Sequence, residues 1–469
     1  MDGAAVNPEN LPFAQAGLGQ CLLYFAPFAI LLGMVAILPL MAATEAWWGK
    51  NGNKALVAGL CSAAGVVLYL GPTGDWAKLL DTLLEYLTFM ALLGSLYVVC
   101  GGIHIVGTYS GTPGRNVLFL LGGAVLANLM GTTGASMILI RPLLRANRHR
   151  HDNAHIVIFF IFIVSNAGGL LTPLGDPPLY LGFLQGVPFA WTFRLLPQWT
   201  FLLTLVLGVF YLVDGRYFAR ESKELRQTLD QATPGGRGIQ VEGWRNVLFL
   251  FALLGVILAS GYIIQPAFSR LYGAEVGRLC SEMFQIVLMI GIALMSFDLT
   301  APHMYKVKGR IISAYANNDF TTAAIIEVGI LFFGIFGAML PTLAVLQAKG
   351  PSLGVEAPWQ YFWGSGTLSS FLDNAPTYLT FATLAASKSG VSLRDFSELA
   401  ARFPRLLEAV ACGSVFMGAN SYIGNGPNFM VKAIADHSKV KMPSFFGYML
   451  WSMAVLVPIF VIETLVFFR

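Results

Sequence analysis

"SNAGGLLTPLGDPPLYLGF", residues Ser165 to Phe183, follows the apolar run "AHIVIFFIFIV". The run starts like a membrane-spanning helix and then stops behaving like one. Between positions 165 and 178 come three glycines, three prolines, Asn166 and Asp176. Backbone N–H and C=O groups cannot stay unpaired in lipid, so irregular chain at membrane depth survives only inside protein or against a polar cavity. The stretch is therefore read as a broken helix that helps to line a site.

A second break carries the same pattern. "TPLGDPP" from Thr172 and "SYIGNGP" from Ser421 each read hydroxyl, any, apolar, Gly, Asp or Asn, any, Pro. They are offset by 249 residues (421 − 172 = 249). Upstream of each lies a short polar stretch between two apolar arms: "TTGASMILI" from Thr132 and "DNAPTYLTF" from Asp373, offset by 241 (373 − 132 = 241). A weak internal echo in the same order is the sequence pointer to a transporter site between two repeats.

Composition agrees with a membrane setting. The 469 residues are 56% hydrophobic and 12% charged, with mean hydropathy +0.67. A soluble domain would carry about twice that charge. Repeated apolar runs of about 20 residues read as transmembrane helices. The net charge of +4 comes with no basic patch interleaved with aromatics, so no nucleic-acid partner is expected. Cys21, Cys61, Cys100, Cys280 and Cys412 sit in or beside apolar runs without a CxxC pair and are expected to be buried small hydrophobes. The N-terminal stretch lacks a basic n-region, so no cleaved signal peptide is expected. No GxxxxGK[ST] pattern is present, which removes direct ATP drive.

The expected fold is an all-α polytopic membrane protein built as an inverted-topology repeat. Residues 1–214 form the first repeat: spans near 21–41, 54–71 and 79–101, a re-entrant hairpin at about 115–147, a broken helix at about 154–188 and a span near 199–214. Residues 215–244 form a polar cytoplasmic linker. Residues 245–469 repeat the order: spans near 245–265, 283–299 and 320–346, a hairpin at about 358–388, a broken helix at about 405–436 and a span near 443–467. Placing the basic clusters at Lys50/Lys54, 141–151, 216–245, 306–310 and 439–441 in the cytoplasm orients the chain, with both termini outside. The basic segment from Lys388 to Arg405 runs against that assignment.

Residue types at the breaks suit ion chemistry. Gly175, Gly424 and Gly426 allow backbone angles that other residues avoid. Pro177, Pro178 and Pro427 forbid continuous helix and suit the first turn of the next half-helix. Freed carbonyls, with Asn, Thr and Ser oxygens such as those of Thr172 and Ser421, can ligate a small hard cation. Half-helix N-termini favour anions. Asp176 at mid-bilayer costs about 2.5–3.5 kcal/mol on insertion scales and is tolerated when paired, protonated or cation-bound. It reads either as a helix cap or as a cap that also binds Na⁺ or H⁺, with Asp373 a second carboxylate at the same depth. Glu327 inside "FTTAAIIEVGILFFGIF" is a proton carrier or a helix-packing contact. Asp81 and Glu85 share a helix face and are read as structural. Asp319 reads as a helix cap. His104 and the histidines of 149–155 are expected to be solvated.

At these residues the chain resembles the ion transporter superfamily, which includes NhaD-type sodium/proton antiporters, arsenite efflux permeases and citrate or dicarboxylate carriers. "SNAGGLLTPLGDPP" resembles its Asn-x-Gly-Gly…Thr-x-x-Gly-Asp signature, "LDNAPTYL" the DN-x-P element of NhaD-type proteins, and "IGNGPN" the second broken-helix motif. The similarity runs in order through both halves and is nearest the citrate-transport/sodium–proton antiporter branch. It implies a homodimer in a bacterial inner membrane, with a fixed scaffold and a mobile domain moving as an elevator. It also implies a Na⁺ site at Asn166, Gly175 and Asp176 with Thr132 and Thr133, and a mirrored one at Asp373, Asn374, Thr377, Asn420 and Asn425. The Na⁺ ion is placed at Asn166, Asp176, Asp373 and Asn374. The Thr-Thr of the first tip stands where relatives often have Asn or Asp, and the Ser-Asn-Thr tips of dicarboxylate carriers are absent.

Function is accordingly expected to be Na⁺/H⁺ antiport, with Na⁺- or H⁺-coupled transport of citrate or another di- or tricarboxylate as the alternative and arsenite efflux third. No cofactor is expected beyond the transported or coupling ions, and the partners are small ions and lipid. An enzyme is not expected: Asp176 and Asp373 could pair as in an intramembrane aspartyl protease, but Pro173 occupies the first Gly position of that motif and Pro177-Pro178 break the helix at once. An ion channel gains nothing from an inverted repeat.

Overall fold

The computed structural model describes residues 13–41, 43–106, 110–224, 227, 240–300, 304–307, 310–313, 315, 318, 320–349, 352–391 and 396–469. Asp319, the first 12 residues and the middle of the 215–244 linker lie outside them. Ten helices among the described residues are long and apolar enough to cross a membrane. The protein is a polytopic, mostly helical membrane protein.

Helices α1 (Leu18–Ile37), α2 (Asn51–Thr73) and α3 (Trp76–Gly101) open the chain. A kinked α4 (Pro113–Ala146) follows, turning at Gly131, whose φ of +77° suits a residue without Cβ. Next come α5 (Ala154–Ile163), a 3₁₀ turn over Ala167–Leu171, α6 (Pro177–Leu184) and α7 (Leu196–Ala219). The second half runs α8 (Arg245–Ala259), a π turn, α9 (Gln265–Tyr272), α10 (Ala274–Thr300) and α11 (Ala323–Lys349). It closes with α12 (Pro358–Ser369), α13 (Asn374–Lys388), α14 (Pro404–Met417), a 3₁₀ turn over Gly418–Asn420, α15 (Gly426–His437) and α16 (Phe445–Phe467). Among the described residues there are also two small antiparallel ribbons: β1 (His104–Val106) with β2 (Gln240–Glu242), and β3 (Met304–Val307) with β4 (Arg310–Ser313). The first ribbon ties the end of α3 to the chain entering α8.

The spans pack through small residues, as lipid gives apolar side chains no reason to prefer one another. A Cβ on Gly65 would lie 2.6 Å from the Cα of Ala338, so α2 and α11 meet backbone to backbone. Near their first turns Lys54 Nζ donates to Glu327 Oε1 at 2.5 Å. Since 54 pairs with 327 and 65 with 338, the two helices run parallel. By the same logic α3 runs antiparallel to α11, because Tyr86 donates to Gly329 O and Tyr97 to Thr321 O. It runs parallel to α10, because Asp81 pairs with Arg278 and Ser95 donates to Met289 O. Thus α2 and α10, the second helices of the two halves, point in opposite directions, and so do the third helices α3 and α11.

The Lys54–Glu327 contact yields a first expected result. Lys54 is 5% exposed while the Glu327 side chain is 43% exposed. Stranding a buried charge costs about 3–5 kcal/mol at full burial. At this half-exposed pair, Glu327→Gln is expected to cost about 1–3 kcal/mol, read as a lower thermal midpoint in detergent. Its transport should keep the wild-type pH profile; a lost pH dependence would make Glu327 a proton carrier instead.

Two histidines depart from expectation. His149 and His151 are exposed. His104 and His155, expected in water, are buried. His104 Nδ1 lies 2.9 Å from Asn318 Oδ1, and burial holds its imidazole below the usual range despite that contact. His155 stacks on Tyr217 at 4.3 Å and meets Asp214 at 2.8 Å. The run 147–155 can fold inward because Asp214 and Tyr217 of α7 and Asn116 of α4 supply partners to Arg150, His155 and Asn147. Cys61, Cys100 and Cys412 are buried and Cys21 and Cys280 half-buried, all five as free thiols. Asp81 pairs with Arg278 and Glu85 with Lys78, both as structural contacts.

Candidate ion site at the crossed breaks

Each break is pinned to its own hairpin tip by the same device. In the first half, Thr172 Oγ1 donates to Asn128 O at 2.5 Å and accepts from the Gly175 N–H at 3.1 Å. In the second, Ser421 Oγ donates to Ser370 O at 2.5 Å and accepts from the Gly424 N–H at 3.1 Å. The hydroxyl at the head of each motif therefore satisfies two backbone groups that the missing helix leaves free. The glycines let the chain fold back on itself. A Cβ on Gly169 would sit 2.6 Å from Gly175 O. In the second break, a Cβ on Gly418 would sit 3.3 Å from Gly424 O. Both pairs are shifted by 249 positions (418 − 169 and 424 − 175).

The two breaks then join each other. Asn425 donates to Ser165 O at 3.1 Å and to Asn166 Oδ1 at 3.2 Å. Asn166 donates to Asn428 Oδ1 at 2.7 Å and to Ile161 O at 2.8 Å. Asn428 in turn donates to Gly418 O and Ser421 O, both at 2.9 Å. This chain of amides locks the four half-helices into one body.

Asp176 lies at the centre and is 1% exposed. It occupies the cap position of α6, yet its side chain makes no cap hydrogen bond. The first two residues of that helix, Pro177 and Pro178, have no N–H to offer. Instead Thr132 Oγ1 donates to Asp176 Oδ1 at 2.8 Å, and the Asn374 amide donates to Oδ2. The carboxylate thus bridges the first break, the first tip and the second tip. Asp373 behaves differently: it caps α13 by accepting from the Ala375 N–H at 3.1 Å. Asn374 Oδ1 and Asn420 Oδ1 are buried with no hydrogen-bond partner among the described residues.

A cavity of about 100 Å³ opens beside these groups. On one side are Gly131, Thr132, Thr133, Gly175, Asp176, Asp373 and Asn425; on the other are Leu92, Leu96 and Tyr97 of α3 and Ile325, Val328 and Phe332 of α11. Among the described residues, no Lys or Arg lines it. Three half-helices, α6, α13 and α15, start immediately after cavity residues Asp176, Asp373 and Asn425, so their positive ends face the same space.

Among the residues singled out in the sequence, Thr132, Thr133, Gly175, Asp176, Asp373 and Asn425 reach the cavity wall, and Asn374 binds Asp176. Asn166, Thr172, Asn420, Ser421 and Gly424 belong to the scaffold of the breaks behind it, as does Thr377, whose hydroxyl donates to Asp373 O at 3.0 Å. Glu327 is not among the cavity residues and pairs with Lys54. Asn128, Ser165, Ser370 and Asn428 were missed. A shift of 249 from Asn428 lands on Leu179, so the internal echo gives no hint of it.

One family model, described as "Putative citrate transport", matches residues 19–468, nearly the whole chain. No curated protein matches it.

Proposed function

The chain belongs to that citrate-transport family, and on this footing we propose that it is a cation-coupled secondary transporter carrying citrate or another di- or tricarboxylate with Na⁺ or H⁺. The observation that carries the coupling is the environment of Asp176. It is a buried carboxylate in a cavity that no basic side chain lines among the described residues, beside Asn374 Oδ1, which has no hydrogen-bond partner among them. A cation supplies the missing charge: Na⁺ with Asp176, Asn374, Asp373 and nearby backbone carbonyls as ligands, or a proton on the carboxyl itself. With the acid neutralised, the N-termini of α6, α13 and α15 can attract an anion. Cation binding would precede carboxylate binding.

The opposed directions of α2 and α10, and of α3 and α11, support an inverted repeat. The cavity lies between the amide-locked body of hairpins and breaks and the α3–α11 wall. This favours an elevator, in which that body slides past the wall carrying the site. We place the protein as a homodimer in a bacterial inner membrane, with both termini outside.

Na⁺/H⁺ antiport is the second reading, favoured by a cavity wall that carries no Lys or Arg among the described residues. Proteoliposomes containing a pH dye separate the two. Labelled citrate that accumulates only with a Na⁺ or H⁺ gradient supports the first. Proton movement driven by Na⁺ alone, with no citrate uptake, selects antiport.

A further inference from the structure

Helix α16 holds an acid that the Asp176 site does not use. Glu463 is 0% exposed. Neither of its carboxylate oxygens has a hydrogen-bond partner among the described residues, and it takes part in no ion pair there. The shift of 249 that superimposes the breaks also brings α16 onto α7 and Glu463 onto Asp214 (463 − 249 = 214).

Asp214 shows what a buried acid at this place looks like when it is kept charged. Arg150 Nη2 lies 2.5 Å from it, His155 Nε2 2.8 Å and Asn116 Nδ2 3.1 Å. Glu463 has none of these.

The groups on the elements around Glu463 do not compensate it. On α14, Cys412 is a buried free thiol, and Glu408 pairs with Arg194 at 3.4 Å. On α12, Tyr361 donates to Val355 O, and Trp363 donates to Thr464, the residue after Glu463. On α16 itself Tyr448 donates to Ala419 O, and α7 contributes the ring pair Phe201–Phe467.

An unpaired carboxylate in such surroundings is strongly disfavoured, whereas the neutral acid is tolerated. Leucine or methionine would fill the same space without any desolvation cost. An acid kept at this depth without a partner has a chemical use.

We propose that Glu463 is a proton-binding site distinct from the Asp176 cavity, holding a proton in this conformation and exchanging it with water during the transport cycle. The exchange half rests on the transporter reading. The proton-binding half does not.

The test uses the full-length chain in lipid nanodiscs and infrared difference spectra across a pH titration. The wild type and Asp176→Asn are expected to show the carbonyl stretch of a protonated carboxylic acid; Glu463→Gln is expected to lack it. Glu463→Met, which keeps the volume without an amide, serves if the Gln variant folds poorly. In proteoliposomes, Glu463→Gln should move one proton fewer per citrate than the wild type. Absence of the band, or its survival in Glu463→Gln and Glu463→Met, overturns the proton site whatever the substrate. An unchanged proton count overturns the exchange. A band that behaves as expected in a protein that moves no citrate leaves the proton site standing and removes the carboxylate reading instead.

Discussion

Asp176→Asn is expected to abolish the cation dependence of transport. The substitution keeps the shape of the side chain and removes its charge. Losing a residue that merely orients a metal ligand costs about 10–100-fold in affinity. Asp176 would itself be the charged ligand, so the apparent Na⁺ affinity should fall by more than about 100-fold. The fold should survive: the amide oxygen can still accept from Thr132, which lies 2.8 Å from the carboxylate. Its NH₂ group, in contrast, would meet the Asn374 amide that now donates to Asp176. That conflict is relieved by an amide flip of Asn374, which would turn its unpartnered Oδ1 inward. The measurement is Na⁺- and H⁺-dependent citrate uptake into proteoliposomes, with thermal unfolding in detergent as the control for folding. A variant that unfolds at the wild-type temperature and keeps wild-type cation dependence would reduce Asp176 to a structural link.

Gly175→Ala is expected to remove the folded protein. A Cβ there would lie 2.7 Å from the carbonyl carbon and 2.9 Å from the Cα of Gly169, with the Gly169 oxygen nearer still. All three are backbone atoms of Gly169, whose N–H donates to Asn166 O at 3.0 Å, while the Gly175 side is held by the Thr132 N–H, which donates to Gly175 O at 2.8 Å, and by Thr172. Neither side can retreat without breaking those bonds. Overpacking usually costs about 1–3 kcal/mol and here should reach the upper end or exceed it. Gly426→Ala is the internal control. It sits in the matching break, but its Cβ would meet nothing within 4 Å, and it opens a helix where alanine is favourable. Fluorescence-detected size exclusion should show a monodisperse peak for Gly426→Ala and loss of it for Gly175→Ala. Equal behaviour of the two variants would mean that the crossing at Gly169 and Gly175 is not tight.

The elements that the sequence made legible are those where lipid leaves the backbone few choices. Asp176 with its flanking prolines, and the Gly-Asn-Gly-Pro of 424–427, cannot continue a helix, so the breaks and their half-helices could be read directly. The tips followed because two arms of "TTGASMILI" type are too short to cross separately. Gly131, which sets the first tip through its positive φ, sits one residue before that motif.

What escaped was pairing over distance. Lys54 and Glu327 are 273 positions apart, and nothing in either apolar segment announces the other. Asn428 and Asn128 are single amides in helical runs, without periodic or symmetric signal. Their role becomes visible only when Gly418 O, Ser421 O and the Leu171 N–H are found at their side chains. The histidines misled for a related reason. A cluster such as Arg150, His155 and Asp214 looks like a solvated run in the sequence, because the acid that buries it lies about 60 residues downstream.

The most direct measurement of the central claim is uptake of labelled citrate into proteoliposomes under a Na⁺ gradient, a pH gradient, both or neither, for the wild type and Asp176→Asn. Accumulation against the citrate gradient is expected only when a cation gradient is imposed, and none is expected in Asp176→Asn. Citrate that accumulates equally in the variant, or that never accumulates in the wild type while Na⁺ alone drives protons across the membrane, would contradict it.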